Sequence, residues 1–443
     1  MKDIPKHLLL FVLLTYPIVS YLIFELTSME PNYVLGFLFV IYLGYILFLA
    51  FEFNRKLIIP NYLIVFGLFT LYAIFGNMFV SDDLREEGIV KYLYSNPFLQ
   101  TFFGLLVIEN IQVDKKWIKF AQIALGLTLI IASVVSINQI VDPLFLTKET
   151  DFVQGLSYDR LTEYYSSNPT EKTGDVDRFF DGYRLSIFSY INEVSVGFDL
   201  IAIFSILLAI RLRNRFYSLV LILSSAAVGF LSSARWIMLN FFVVASQKFF
   251  LKNNVVLAIL KFTLFGIILF AVLIAGINFT GINLNTFVQE RLLADSAGTR
   301  LLAFEVFFKV FPDNPIFGTL GVDTEKMIRL LNGRSSQIHV GYLKLFYYYG
   351  LIGGIIYLSF LALLFKRMWK IGKSSNYWGG FFAFLAFAIA NLTLVKFDLF
   401  HYGLLLAILF SNFFYGLNDN TLTNSTLRRS KTEIKQNGLL LRG

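Results

Sequence analysis

His339 stands where a polar run, Arg334-Ser-Ser-Gln-Ile-His339, gives way to an apolar one, Val340-Gly-Tyr-Leu-Lys-Leu-Phe-Tyr-Tyr-Tyr-Gly350-Leu-Ile-Gly353-Gly354. An imidazole has a reference pKa of about 6.5, so His339 can accept or orient a proton near neutral pH. At helical spacing Leu343, Phe346, Gly350 and Gly353 follow it on one face. That face has a titratable head and a glycine-smooth body, which a neighbouring helix or a lipid tail can approach closely. Two arginines join it as candidates. Arg235 closes the turn Ser232-Ser-Ala-Arg235 between two apolar runs. Arg300 heads a helical stretch, 295–311, in which Phe304, Phe307, Phe308 and Phe311 share its stripe and Pro312 ends the helix. Such a stripe suits a membrane surface. The chain has no Cys, and His7, His339 and His401 are scattered, so disulfides, thiolate sites and a histidine metal cluster are excluded.

The elements that must position these residues are membrane helices. The chain is 56% hydrophobic with a mean hydropathy of +0.66, and its 50 Phe are spread along its whole length. The fold expected is all-α: a polytopic integral membrane protein with about twelve transmembrane helices. They fall near 7–24, 33–52, 57–80, 97–111, 117–141, 187–210, 216–234, 235–251, 255–278, 343–365, 378–394 and 399–416. The first apolar run lacks a small-residue cleavage site and reads as a span. Residues 1–416 form one transmembrane domain, and 417–443 a basic tail expected to be disordered.

Short-loop charges set the orientation. Lys2, Lys6, Arg55, Lys56, Lys115, Lys116, Lys119, Arg211, Arg213, Arg215, Lys248, Lys252, Lys366, Arg367, Lys370 and Lys373 all fall on one side, with the tail. By the positive-inside rule that side is cytoplasmic, as are both termini. The net charge of +8 is then a topology signal, and its dispersal argues against a nucleic-acid partner. Basic residues at both ends of 211–252 require a tight helical pair, with Arg235 at its outer apex. A short second leg sets that arginine low in the interface, where an ionised group faces a cavity or a partner. Two external loops, about 142–186 and 279–342, are too long to be mere connections. The first is acidic, with Asp142, Glu149, Asp151, Asp159, Glu163, Glu171, Asp175, Asp177 and Asp181. His401 near Asp398 reads as structural, and Lys261 as a snorkelling side chain.

Four stretches together resemble the O-antigen polymerase and O-antigen ligase superfamily, bacterial membrane glycosyltransferases acting on undecaprenyl-diphosphate-linked glycans. They are Arg184-Leu-Ser-Ile-Phe-Ser-Tyr-Ile-Asn192-Glu-Val-Ser-Val-Gly197, Ser232-Ser-Ala-Arg235, Thr299-Arg300 with Asp313-Asn-Pro-Ile-Phe-Gly318, and His339-Val-Gly-Tyr with Gly350-Leu-Ile-Gly353. The likeness covers roughly 184–365. It implies that Arg235 and Arg300 hold the lipid diphosphate through guanidinium forks. Arg184 and Asn192 would bind substrate, and His339 would activate or orient the acceptor hydroxyl. It implies a metal-independent, inverting transfer with no cofactor. The expected site faces the periplasm or exterior of the bacterial inner (plasma) membrane. Expected partners are an undecaprenyl-diphosphate-linked oligosaccharide and membrane lipid, with a chain-length regulator and a flippase as protein partners. Two sizeable external loops favour a polymerase of O-antigen, capsule or exopolysaccharide over a ligase that transfers finished glycan to lipid A core. A flippase or other transporter also suits about twelve spans, but no internal repeat of the kind transporters show is visible.

Overall fold

The structure, a computed structural model, describes residues 4–27, 31–54, 56–80, 96–111, 113–141, 193–210, 215–231, 235–251, 255–279, 296–320, 327, 329–331, 338, 340–393, 397 and 400–416. Among these residues it is helical, with no strand. The helices are α1 (Ile4–Thr27), α2 (Pro31–Phe53), α3 (Asn61–Val80), α4 (Pro97–Asn110), α5 (Lys115–Val141) and α6 (Glu193–Ala209). There follow α7 (Arg215–Leu231), α8 (Arg235–Phe250), α9 (Val255–Phe279), α10 (Ser296–Val310), α11 (Gly341–Ser375) and α12 (Gly379–Thr393). The last is α13 (Tyr402–Gly416).

A helix lies on each stretch expected to span, and α10 on the stretch expected to lie along a surface. The apex at Arg235 does separate two helices, α7 and α8, which pack on each other. Helices α2, α5 and α11 hold stretches long and apolar enough to cross a membrane, and most of the others are shorter apolar helices. Their apolar side chains face outward as well as inward. Val256 is 76% exposed, Leu260 67% and Ile267 61% on α9, which buries Ala258 and Leu269. An apolar exterior of this extent suits lipid, because in water it would drive association.

The core is aromatic. Phe39, Phe66, Phe69, Phe204, Phe241, Phe360 and Phe387 are fully buried with Tyr62, Tyr357 and Tyr402. Helix α3 lies antiparallel along α11: Tyr62 meets Phe360 at 6.2 Å between centroids, and Tyr72 meets Tyr349 at 6.5 Å. Helix α12 packs against α6, α8 and α11. Buried polar side chains tie this centre: Ser205 donates to the Gly379 carbonyl at 2.7 Å, and Asn240 to that of Ala386 at 2.9 Å. Such bonds matter more where no water competes.

The bundle has two chemically different ends. At the basic end Lys6 pairs with Asp114 at 3.3 Å, and the Trp117 indole donates to His7 Nδ1 at 3.2 Å. There Arg367 is salt-bridged to Glu109, whose side chain is 1% exposed, and donates to Asn412 at 2.9 Å. The Tyr62 hydroxyl donates to the same Glu109 at 2.6 Å, and its ring lies 5.3 Å from the guanidinium. At the opposite end Asp199 accepts from the Gly403 backbone N–H at 2.8 Å, at the start of α13. A carboxylate there is favoured by the positive end of the helix dipole.

Candidate functional site

At that opposite end α11 is broken. Gly350 takes φ 59° and ψ −165°, a conformation that carries no helix and that L side chains avoid. The break frees carbonyls before it and N–H groups after it, which cannot stay unpaired inside a membrane protein. The turn after α10 supplies their partners. Thr319 N–H donates to the Tyr347 carbonyl at 3.0 Å and Leu320 N–H to that of Tyr348 at 2.8 Å. In return Leu351 N–H donates to the Pro315 carbonyl at 2.8 Å and Ile352 N–H to that of Ile316 at 3.2 Å. The Tyr72 hydroxyl of α3 reaches the Phe317 carbonyl at 3.0 Å and the Tyr349 carbonyl at 3.2 Å.

Two glycines make this approach possible. A Cβ on Gly350 would lie 2.2 Å from the Ile316 carbonyl oxygen, and one on Gly318 (φ +75°) would lie 2.3 Å from that of Tyr348. Hence the Pro315-Ile-Phe-Gly318 turn and the Gly350-Leu-Ile-Gly353 stretch form one backbone-bonded unit.

The break corrects the face counted from His339. Helical phase does not carry through Gly350, so Gly353 does not continue the row of Leu343 and Phe346. Nor is the glycine body open to a neighbour's backbone or a lipid tail. A Cβ on Gly353 would meet the Tyr72 ring at 2.8 Å, and one on Gly354 the Phe346 ring at 2.3 Å. The aromatic side chains of α3 and of α11 itself fill the space.

Of the candidate residues, Arg300 is described in full. It is half-buried in α10, on the face that Ala303, Phe307 and Val310 bury further along. The aromatic stripe expected there divides in two. Phe307 turns inward and stacks on Phe311 at 4.8 Å, while Phe304 and Phe308 are exposed with Leu301. Helix α10 packs on α11. Arg235 is the first residue of α8, where its backbone is described and its side chain is not. His339, Arg184 and Asn192 lie outside the described residues. Position 339 is flanked by Ile338 and Val340, both buried, and Val340 caps α11 without a side-chain hydrogen bond. His401 is buried, with Nε2 3.2 Å from the Phe397 carbonyl and its ring against Phe387 at 4.6 Å. That setting fits the structural role expected of it. Lys261 is exposed on α9, free of the core as a snorkelling lysine should be.

Two charged residues escaped the sequence reading of the site. Among the described residues, Glu109 and Lys344 are the buried charges. Each is a lone charge in an apolar run, a signal that was available. Lys344 is 5% exposed, lies in the first turns of α11, and holds its ammonium 5.0 Å from the Tyr348 ring centroid. Also among the described residues, no cluster of His, Cys, Asp or Glu suits a metal ion.

The class that these features define is an all-helical protein with a lipid-suited exterior and a built, polar-tied end. No protein-family model matches the chain, and no curated protein matches its sequence.

Proposed function

We propose that this chain is a metal-independent, inverting membrane glycosyltransferase, specifically a surface-polysaccharide polymerase. It spans the bacterial inner (plasma) membrane about twelve times, with both termini in the cytoplasm and the site on the outer face. Its donor is a growing glycan on undecaprenyl diphosphate, and its acceptor a lipid-linked repeat unit. The acceptor hydroxyl oxygen attacks the anomeric carbon as the bond to the diphosphate breaks. The leaving diphosphate takes the bonding electrons, and His339 takes the hydroxyl proton and passes it to water. Arg235 and Arg300 stabilise the charge on the diphosphate, and Arg184 and Asn192 bind substrate.

One observation carries the proposal. The Pro315–Gly318 turn is bonded into the break at Gly350, which joins two of the four stretches that resemble the family. It sets α10, with Arg300, beside the helix that starts next to position 339. Separate motifs that merely marked loop ends would have no reason to meet through backbone hydrogen bonds.

The test is His339→Ala in a strain whose surface polysaccharide forms a ladder. Loss of a base slows transfer by about 10²–10⁴-fold. The expected result is loss of the ladder, with single lipid-linked repeat units accumulating on the outer face. Long polymer still on its lipid carrier would assign a ligase instead. Single units trapped on the cytoplasmic face would assign a flippase. A normal ladder would remove the reading.

A further inference from the structure

We propose that Lys344 is a substrate-binding residue whose ammonium contacts the phosphate oxygens of the polyprenyl diphosphate donor. The inference rests on the glycosyltransferase reading and deepens it. It begins from the two buried charges. Glu109 has its counter-ion in Arg367, at the basic end. Lys344 lies at the opposite end, where basic residues gain nothing from the positive-inside rule. It sits about one helical turn, or ~5 Å, from the start of α11. From there a four-carbon stem could carry its ammonium out to the headgroups, the usual way a lysine escapes a membrane. At 5% exposure it does not take that route. It folds inward over Tyr348 among Gly341, Leu345 and Tyr347, all buried.

A cation kept inside at the cost of desolvation marks a site more often than it marks packing. The surroundings favour an anion rich in acceptor atoms. An ammonium offers three donors that can turn to separate phosphate oxygens. Tyr348, one turn along the same helix, steadies it without neutralising it. The helix bearing Arg300 packs on the same helix. Phosphate of this kind has two sources, the diphosphate of the polyprenyl donor and the phosphodiester of bulk phospholipid. The donor is favoured because Lys344 is turned away from the lipid-facing surface.

The experiment uses the full-length protein in detergent, titrated with farnesyl diphosphate and, separately, with dioleoyl phosphatidylglycerol. Wild type should bind the diphosphate and be stabilised against heat by it. Lys344→Met keeps the stem and removes the charge, and should bind at least about tenfold more weakly, as loss of one charge-assisted hydrogen bond predicts. Lys344→Arg should retain most of the binding, and both variants should melt near wild type without ligand. Lys344→Gln replaces the Met variant in the comparison if the latter fails to fold. Undiminished diphosphate binding in the uncharged variant overturns the proposal and leaves the polymerase reading intact. Equal binding of phosphatidylglycerol by wild type also overturns it, since Lys344 would then be a general headgroup contact. If wild type binds no farnesyl diphosphate the proposal falls, while the His339→Ala ladder judges the reading independently.

Discussion

Charge inside an apolar bundle is tolerated only when a partner or a ligand meets it, and Glu109 shows the first case. Its carboxylate takes the Tyr62 hydroxyl and the Arg367 guanidinium, and Arg367 also reaches Asn412. Four helices, α3, α4, α11 and α13, are thereby joined at the basic end. Removing Arg367 would strand a buried carboxylate, which typically costs about 3–5 kcal/mol. Arg367→Met should therefore lower the melting temperature of the detergent-solubilised protein sharply. Adding Glu109→Gln should recover most of the loss, because the amide still accepts from Tyr62 and carries no charge. An Arg367→Met protein that melts with wild type would show that the pair carries no net stability. In the sequence Arg367 reads only as one member of a basic loop that sets orientation. Its partner lies 258 positions away, and nothing in local pattern links the two. His401 was legible as structural because a histidine at a helix end beside apolar residues usually has a local carbonyl to bond.

The broken helix α11 is the element on which the site depends. Its glycines and the Pro315-Ile-Phe-Gly318 turn were each visible in the sequence, as were the limits of α10 and the stop at Pro312. What was not visible is that they are one unit. Periodicity assumes a continuous helix, and a single residue at φ 59° resets its phase. The same limit explains the stripe on α10: spacing put Phe304 and Phe307 together, while packing on α11 chose the face with Phe307 and left Phe304 out. Gly350→Ala should be costly, since it combines a disfavoured φ with a Cβ 2.2 Å from a carbonyl oxygen. Strain of this kind costs about 1–3 kcal/mol before the clash is counted. Gly318→Ala should behave alike, because both glycines serve one contact. Gly266→Ala on α9 is the control: nothing lies within 4 Å of its Cβ position, and Ala stabilises a helix interior by about 0.5–1 kcal/mol. Thermal unfolding of the three variants checks the order. Equal melting of Gly350→Ala and wild type would mean the turn does not need to dock at the break.

At the scale of the whole molecule the decisive property is sidedness. The helices were legible because apolar runs of this length have few alternatives, and the charges of the connecting loops give them a direction. The structure adds an independent contrast between the ends. Where the basic residues gather, the side chains are tied into ion pairs and hydrogen bonds such as Lys6–Asp114 and Arg367–Glu109. The other end holds the broken helix, Arg300 and the buried Lys344. A transferase using a lipid-linked donor on the outer face needs that second end outside. Because the chain contains no Cys, single cysteines can report sidedness without background. Cysteines at 116, 213 and 370 should resist a membrane-impermeant maleimide in spheroplasts and react only after permeabilisation. Those at 184, 235, 300 and 339 should react in intact spheroplasts, with position 235 slowest because it is expected deepest in the interface. Reaction at 213 with protection at 339 would invert the molecule. The candidate residues would then face the cytoplasm, where no outer-face polymer could be extended, and the proposed function would fall with the topology.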